Sequence, residues 1–178
     1  MSTRTGEPLR AFHGAHTARP AGIGFRPIED ADRDFLFTLY ASTRADELAP
    51  LTWSAEEKRR FLQQQFEFQH RYYQQSFADA DFLLVLQGRE PIGRVYVART
   101  DAEINLVDIA ISSDWRGKGI GAHLLGELIA ESDGTGRAII LHVEPHNPAL
   151  GLYRRMGFVL VENRGAYDFM RRPPANTI

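Results

Sequence analysis

The chain has 178 residues, a formal charge of −2, and 43% hydrophobic against 25% charged residues. That is enough for one domain with its own core, and the near-neutral balance leaves no electrostatic footprint for nucleic acid or an anionic membrane. There is no cysteine, which excludes disulfides, thiolate metal sites and a cysteine acyl-enzyme. From Met1 to Gly24 the sequence scatters Arg, Gly, Pro and Thr without the apolar run of a secretory signal, and no later stretch has the length of a membrane span. Residues 1–22 read as a flexible N-terminal arm, 23–173 as the folded domain, and the cytoplasm as the compartment. His13 and His16 lie in the arm with no third ligand nearby, so no metal is expected.

Ile23 to Ile28 predicts a first strand, and Asp30 or Asp32 can cap a helix running to about Thr43. Ala49-Pro50-Leu51 breaks the pattern. Ser54 and Glu57 then form a capping box that opens a long second helix. Its Phe61, Leu62, Phe66, Phe68, Tyr72 and Tyr73 cover a broad face, which reads as core packing rather than an aromatic ligand box. Phe82 to Leu86 is an apolar strand, Gln87-Gly88-Arg89-Glu90 a hairpin turn, and Ile92 to Ala98 the partner strand. Ile104 to Ile111 is a further strand. A glycine-rich turn follows, then a helix carrying Ile120, Leu124, Leu125, Leu128 and Ile129, ended by Ser132 to Gly136. Ala138 to Val143 is a strand, Asn147 to Met156 a short helix stopped by Gly157, and Phe158–Val161 with Ala166–Met170 a closing hairpin. The order β-α-α-β-β-β-α-β-α-β-β describes one α+β domain.

The turn Arg116-Gly117-Lys118-Gly119-Ile120-Gly121 carries the chemistry. It follows a strand and opens a helix, where unpaired backbone N–H groups concentrate about half a positive charge. Glycines let those amides approach a phosphate, and Arg116 and Lys118 add formal charge. A Walker A loop is excluded, because Gly119 rather than Ser or Thr follows Lys118. A dinucleotide fingerprint nearly fits through Gly117, Gly119 and Ala122. However, Ser112 to Arg116 separate the strand from the first glycine, and the chain does not open on a βαβ unit.

Arg116 to Gly121 matches the pattern Arg/Gln-x-x-Gly-x-Gly/Ala, and Asn147 with Tyr153, Gly157 and Phe158 is similar to Asn-x-x-Ala-x-x-Leu-Tyr-x-x-x-Gly-Phe. In these two motifs the chain resembles the GNAT superfamily of N-acetyltransferases. Leu150 departs from the usual alanine. The resemblance implies a GNAT-like domain in which a central mixed, mostly antiparallel sheet has splayed fourth and fifth strands flanked by about four helices. It implies acetyl-CoA as cosubstrate, with Arg116, Gly117, Lys118, Gly119, Ile120 and Gly121 around the pyrophosphate. Ile109, Ala110 and Ile111 would border the pantetheine arm, joined by Asn147 and Tyr153. Tyr153 would protonate the leaving thiolate.

For a base, alternation places Asp108 on one strand face with Leu106 and Ala110, and His142 with Ile140 and Glu144 on the next strand. His142, oriented by Asp108, is a candidate to accept the amine proton, with water as the alternative. Glu103 and Glu144 are expected at the surface. The acceptor side implied by the resemblance spans Arg44 to Trp53 and Glu162 to Tyr167. Asp46, Glu47 and Glu162 suit an amine there, whereas Arg44 and Arg164 suit an anion. The expected function is acetyl transfer to a primary amine of a small molecule or a protein by direct attack. A non-catalytic acyl-CoA-binding regulatory module is the alternative, and a homodimer is left open.

Overall fold

The computed structural model describes residues 22–175. His13, His16 and nearly all of the expected arm lie outside them. Seven strands and four helices run in the order β1 (Ile23–Pro27), α1 (Arg33–Leu48), α2 (Ala55–Ser76), β2 (Asp81–Gln87), β3 (Glu90–Arg99), β4 (Glu103–Ile111), α3 (Ile120–Thr135), β5 (Ala138–Val143), α4 (Leu150–Arg155), β6 (Val159–Asn163) and β7 (Asp168–Arg172). The strands form one sheet in the order β1-β2-β3-β4-β5-β7-β6. Only β4 and β5 are parallel neighbours. The expected mixed, mostly antiparallel sheet of an α+β domain is therefore present.

Local chemistry sets the helix starts. Asp32 precedes α1 but does not cap it with its side chain. Its two carboxylate oxygens each accept an Arg26 N–H at 2.7 Å, and the Glu29 amide donates to it at 2.8 Å. The helix then runs to Leu48, beyond the expected Thr43, because no breaker appears before Pro50. At α2 the capping box is formed: Ser54 Oγ accepts from the Glu57 amide at 3.2 Å, and Glu57 accepts from the Ser54 amide at 2.8 Å.

The sheet is covered on both faces. On one, Val95, Val97, Leu106, Ile139 and Leu141 pack with Leu124, Leu125 and Leu128 of α3 and with Phe158. On the other, Leu36, Phe37 and Tyr40 of α1 meet Phe66 of α2 and Leu84 of β2. The expected core face of α2 is narrower than its sequence suggests. Phe66 is fully buried, but Phe61, Phe68 and Tyr72 are 37%, 56% and 60% exposed.

Two irregularities position the centre of the sheet. Tyr96 pairs with Asp108 and Val97 with Leu106, so Val107 is an extra residue, a β-bulge. The bulge reverses the alternation. Leu106 faces α3, whereas Asp108 and Ala110 face α1 and α2, which corrects the expectation that all three share a face. Close by, Gly93 lies against β4: a Cβ there would stand 2.5 Å from the Ala110 carbonyl oxygen. Only glycine admits β4 this close.

Phe66→Ala should cost about 3–5 kcal/mol through the cavity it leaves between α1 and α2. Phe68→Ala should change stability by less than about 0.5 kcal/mol. Urea midpoints of the two variants at constant m-value check this division of the helix.

Candidate active site

The β4–β5 ladder joins Glu103–Leu106 to Ala138–Leu141 and stops there, while β4 continues to Ile111 and β5 to Val143. The strands splay apart and leave a gap of about 150 Å³ lined by Asp108, Ile109, Ala110, His142, Asn147 and Tyr153 among others. The expected splay is thus observed, and its cause is the lost register beyond the Val107 bulge.

The glycine turn lies at the end of β4. Gly117 and Gly119 have φ of +72° and +79°, the left-handed region that side chains rarely adopt. Gly119 is the N-cap of α3, and the first turn carries no acidic residue. The amides of Ile120, Gly121 and Ala122 have no acceptor within the helix by geometry, and His123 is the first to donate back, to Gly119 O at 3.0 Å. A Cβ on Gly117 or Gly119 would meet nothing within 4 Å, so the concave side is open. Gly121 has a different duty: it faces Leu152 of α4, which brings the two helices together. Arg116 donates through Nε to Ile111 O at 2.8 Å and through Nη2 to Ser42 Oγ at 3.3 Å, tying the turn to the strand and to α1. The Lys118 ammonium sits 4.5 Å from the Trp115 ring centroid. Such an open turn of free helix amides, with no acidic residue in the first turn, is able to receive an anion.

Asn147 stands just before α4, not inside the expected Asn147–Met156 helix. Its side-chain oxygen accepts the Ala149 amide at 2.8 Å, which bends the chain into the helix. Tyr153 is buried, and its ring packs on Phe158 at 5.7 Å. Burial raises its hydroxyl above the ordinary phenol value, and the charge of Asp108 raises it further. It is a phenol across any physiological pH.

The structure does not pair His142 with Asp108. Both point to the α1–α2 side of the gap, but each has another partner. Asp108 accepts Arg94 Nη2 at 2.7 Å, and the same nitrogen donates to Gln69 of α2 at 2.9 Å. Arg94 is 3% exposed. Tyr73 also faces Asp108; burial and then that carboxylate push its hydroxyl upward. His142 stacks on Phe169 at 5.0 Å and accepts through Nε2 from Arg164 at 3.1 Å, the only sense available to a guanidinium. Burial, then the Arg164 charge, holds the imidazole below its ordinary value of 6.5.

Two contacts escape a reading of the sequence. Glu144, expected at the surface, is half-buried and accepts Arg44 Nη1 at 2.6 Å across the splayed end of the sheet. Arg94 sits within an apolar strand, and a lone cation there is the available signal for a buried partner. Among the described residues no group of three His, Cys, Asp or Glu is arranged to hold a metal ion, and no helix is long and apolar enough to cross a membrane.

Residues 42–158 match the model of the Acetyltransferase (GNAT) family. The chain belongs to the GNAT acetyltransferase family. Its fold is similar to that of PaiA N-acetyltransferase from Thermoplasma acidophilum, in complex with coenzyme A (TM-score 0.63, 19% identity, 85% of this chain and 98% of that one). It is also similar to an acetyltransferase from Thermus thermophilus (0.59, 22%, 85% and 96%). A third similar structure is histone acetyltransferase HPA2 and related acetyltransferase from Corynebacterium glutamicum (0.60, 22%, 88% and 99%). Among curated proteins none matches. Acetyl-CoA is the cosubstrate of this family member, and an open cradle of helix amides and glycines fits its pyrophosphate.

Arg164→Gln should raise the pKa of His142, because the nearest positive charge opposing the imidazolium is removed. A ring-proton NMR titration reads this directly. An unchanged midpoint would show that Arg164 does not act on the histidine in solution.

Proposed function

We propose that this protein is an N-acetyltransferase that moves the acetyl group of acetyl-CoA to a primary amine by direct attack. The observation that carries this reading is the gap, where a buried phenol, a histidine and an open strand edge surround one small volume beside the anion cradle. Acetyl-CoA supplies the acetyl thioester. The chain supplies the rest. Amides at the start of α3, freed by Gly117 and Gly119, hold the pyrophosphate end, while the edge of β4 from Ile109 to Ile111 aligns the arm. A backbone N–H near Ile109–Ala110 polarises the thioester carbonyl, a contact that strengthens as charge develops on oxygen.

The amine nitrogen attacks the carbonyl carbon, the carbon–sulfur bond breaks, and Tyr153 gives its hydroxyl proton to the sulfur. His142 takes the proton lost by the amine, directly or through water. Its depressed pKa keeps it neutral near pH 7, and Arg164 must swing off Nε2 to free that lone pair. Asp108 has another role: bound by Arg94, its fixed negative charge keeps Tyr153 protonated until transfer. A binding module without turnover would need no buried phenol at this place.

Acetyl-CoA should raise the melting temperature of the wild type, and Gly119→Glu should remove most of that rise. A carboxylate in the cradle repels the pyrophosphate, and a side chain at φ +79° strains the turn. Retained affinity in a folded Gly119→Glu variant would sink the cradle assignment.

Thiol release from acetyl-CoA against amines tests turnover itself. Tyr153→Phe should bind acetyl-CoA normally but lose about 10²–10⁴-fold in kcat, the span for a missing general acid. Unaltered turnover would return Tyr153 to a packing role.

A further inference from the structure

On the α1–α2 side the gap opens into a larger chamber of about 750 Å³, and Tyr40, Arg44, Tyr73, His142, Glu144 and Tyr167 border both spaces. That volume suits a ligand of drug-like size. The outer wall is aromatic: Phe61, Phe68, Tyr72 and Phe77 from α2 and the turn after it, with Tyr167 opposite. Phe68, Tyr72 and Tyr167 are 56%, 60% and 45% exposed. Phe61, Phe68 and Tyr72 follow helical spacing along one side of α2, so large rings line the opening, an arrangement that attracts an apolar partner surface.

Charge at the throat is sparse and unequal. Arg44 lies between Glu144 at 2.6 Å and Glu47 at 2.9 Å, one cation between two carboxylates. Arg164, beside His142, is matched by Glu162 at 2.7 Å. With His142 neutral, the throat holds one surplus negative charge, and the rest of the chamber lining has no ionised carboxylate. One ammonium is complemented here. A second or third would be left against aromatic walls without a counter-charge, and a carboxylate on the acceptor would be repelled.

Resting on the acetyltransferase reading above, we propose that the acceptor is a singly charged arylalkylamine. Its ammonium enters at Glu144 and Arg44, beside the gap, and its ring stacks among Phe61, Phe68 and Tyr72. Offset or edge-on ring contacts are available on several sides, and Trp53, 5.4 Å from Phe61, extends the wall outward. Burying a phenyl ring there strengthens binding by a factor of roughly ten or more. The chamber is thus the specificity element.

The test is a kcat/KM comparison by thiol release with 2-phenylethylamine, ethylamine, spermidine and a lysyl peptide, in wild type and in Phe68→Ala and Tyr72→Ala. Both substitutions are at exposed positions, so the variants keep the fold. 2-Phenylethylamine is expected to exceed each of the other amines at least tenfold. Each variant should raise KM for 2-phenylethylamine severalfold to tenfold while leaving that for ethylamine unchanged. A preference for spermidine or the lysyl peptide, equal values across the panel, or variants without selective loss would overturn the arylalkylamine assignment with acetyl transfer still standing. No thiol release with any amine, in protein that binds acetyl-CoA, would overturn the acetyltransferase reading and this assignment together.

Discussion

The β4–β5 ladder ends after Leu106 and Leu141, yet both strands continue. Backbone N–H and C=O groups along β4 from Val107 onward therefore face a gap in the middle of a seven-stranded sheet. Buried backbone groups left unpaired are costly, so such an edge persists only if something else satisfies it. In the proposed complex the acyl-carrier arm does so as a surrogate strand. The bulge at Val107 and the missing side chain at Gly93 are what set β4 in this position. One adds a residue and turns Asp108 toward α1 and α2; the other lets the Ala110 carbonyl come within what would be van der Waals contact of a side chain.

The buried ion pair beside the gap follows the same constraint. Arg94 and Asp108 are 4% and 13% exposed at their side chains, and an ion pair taken so far from water rarely stabilises a fold more than apolar residues of the same shape. Its effect is placement. Through Gln69 it joins β3, β4 and α2, and it fixes a negative charge near the hydroxyls of Tyr73 and Tyr153. Once Arg94 claims that carboxylate, His142 is left to Arg164. The pairing expected between histidine and aspartate fails because β3 contributes the Arg94 guanidinium, opposite Ala110 and within reach of Asp108.

Legibility in the sequence tracks how local each feature is. Ala138–Val143 is read to the residue, since an apolar run between Gly136 and Pro145 has few alternatives. The turn from Arg116 to Gly121 is equally local: positive φ at Gly117 and Gly119 is a property glycine announces. By contrast, strand alternation has no mark for an extra residue, so it puts Leu106 and Asp108 on one face. Periodicity in α2 puts Phe61, Phe68 and Tyr72 with Phe66 on one broad core face, whereas the structure buries Phe66 and leaves the other three exposed. Asn147 reads as the first residue of a helix because its side-chain turn with Ala149 imitates one. The Arg44–Glu144 contact spans 100 positions and has no local signature at all.

The two halves of the site stand under different physical restrictions. Gly93, Gly117 and Gly119 occupy positions where any side chain clashes with backbone or strains it, so the half proposed to hold the cofactor tolerates little change. The acceptor wall is made of solvent-facing rings: Phe68, Tyr72 and Tyr167 support no core, and replacing them costs the fold little. Relatives at 19–22% identity share the sheet and its helices at TM-scores of 0.59–0.63. Nothing in that likeness constrains the outer chamber wall, to which α2 and the β6–β7 turn contribute the exposed rings of Phe68, Tyr72 and Tyr167. On the proposed reading, acceptor choice is therefore to be sought in the exposed aromatic lining, because those rings are free to differ without disturbing the gap beside them.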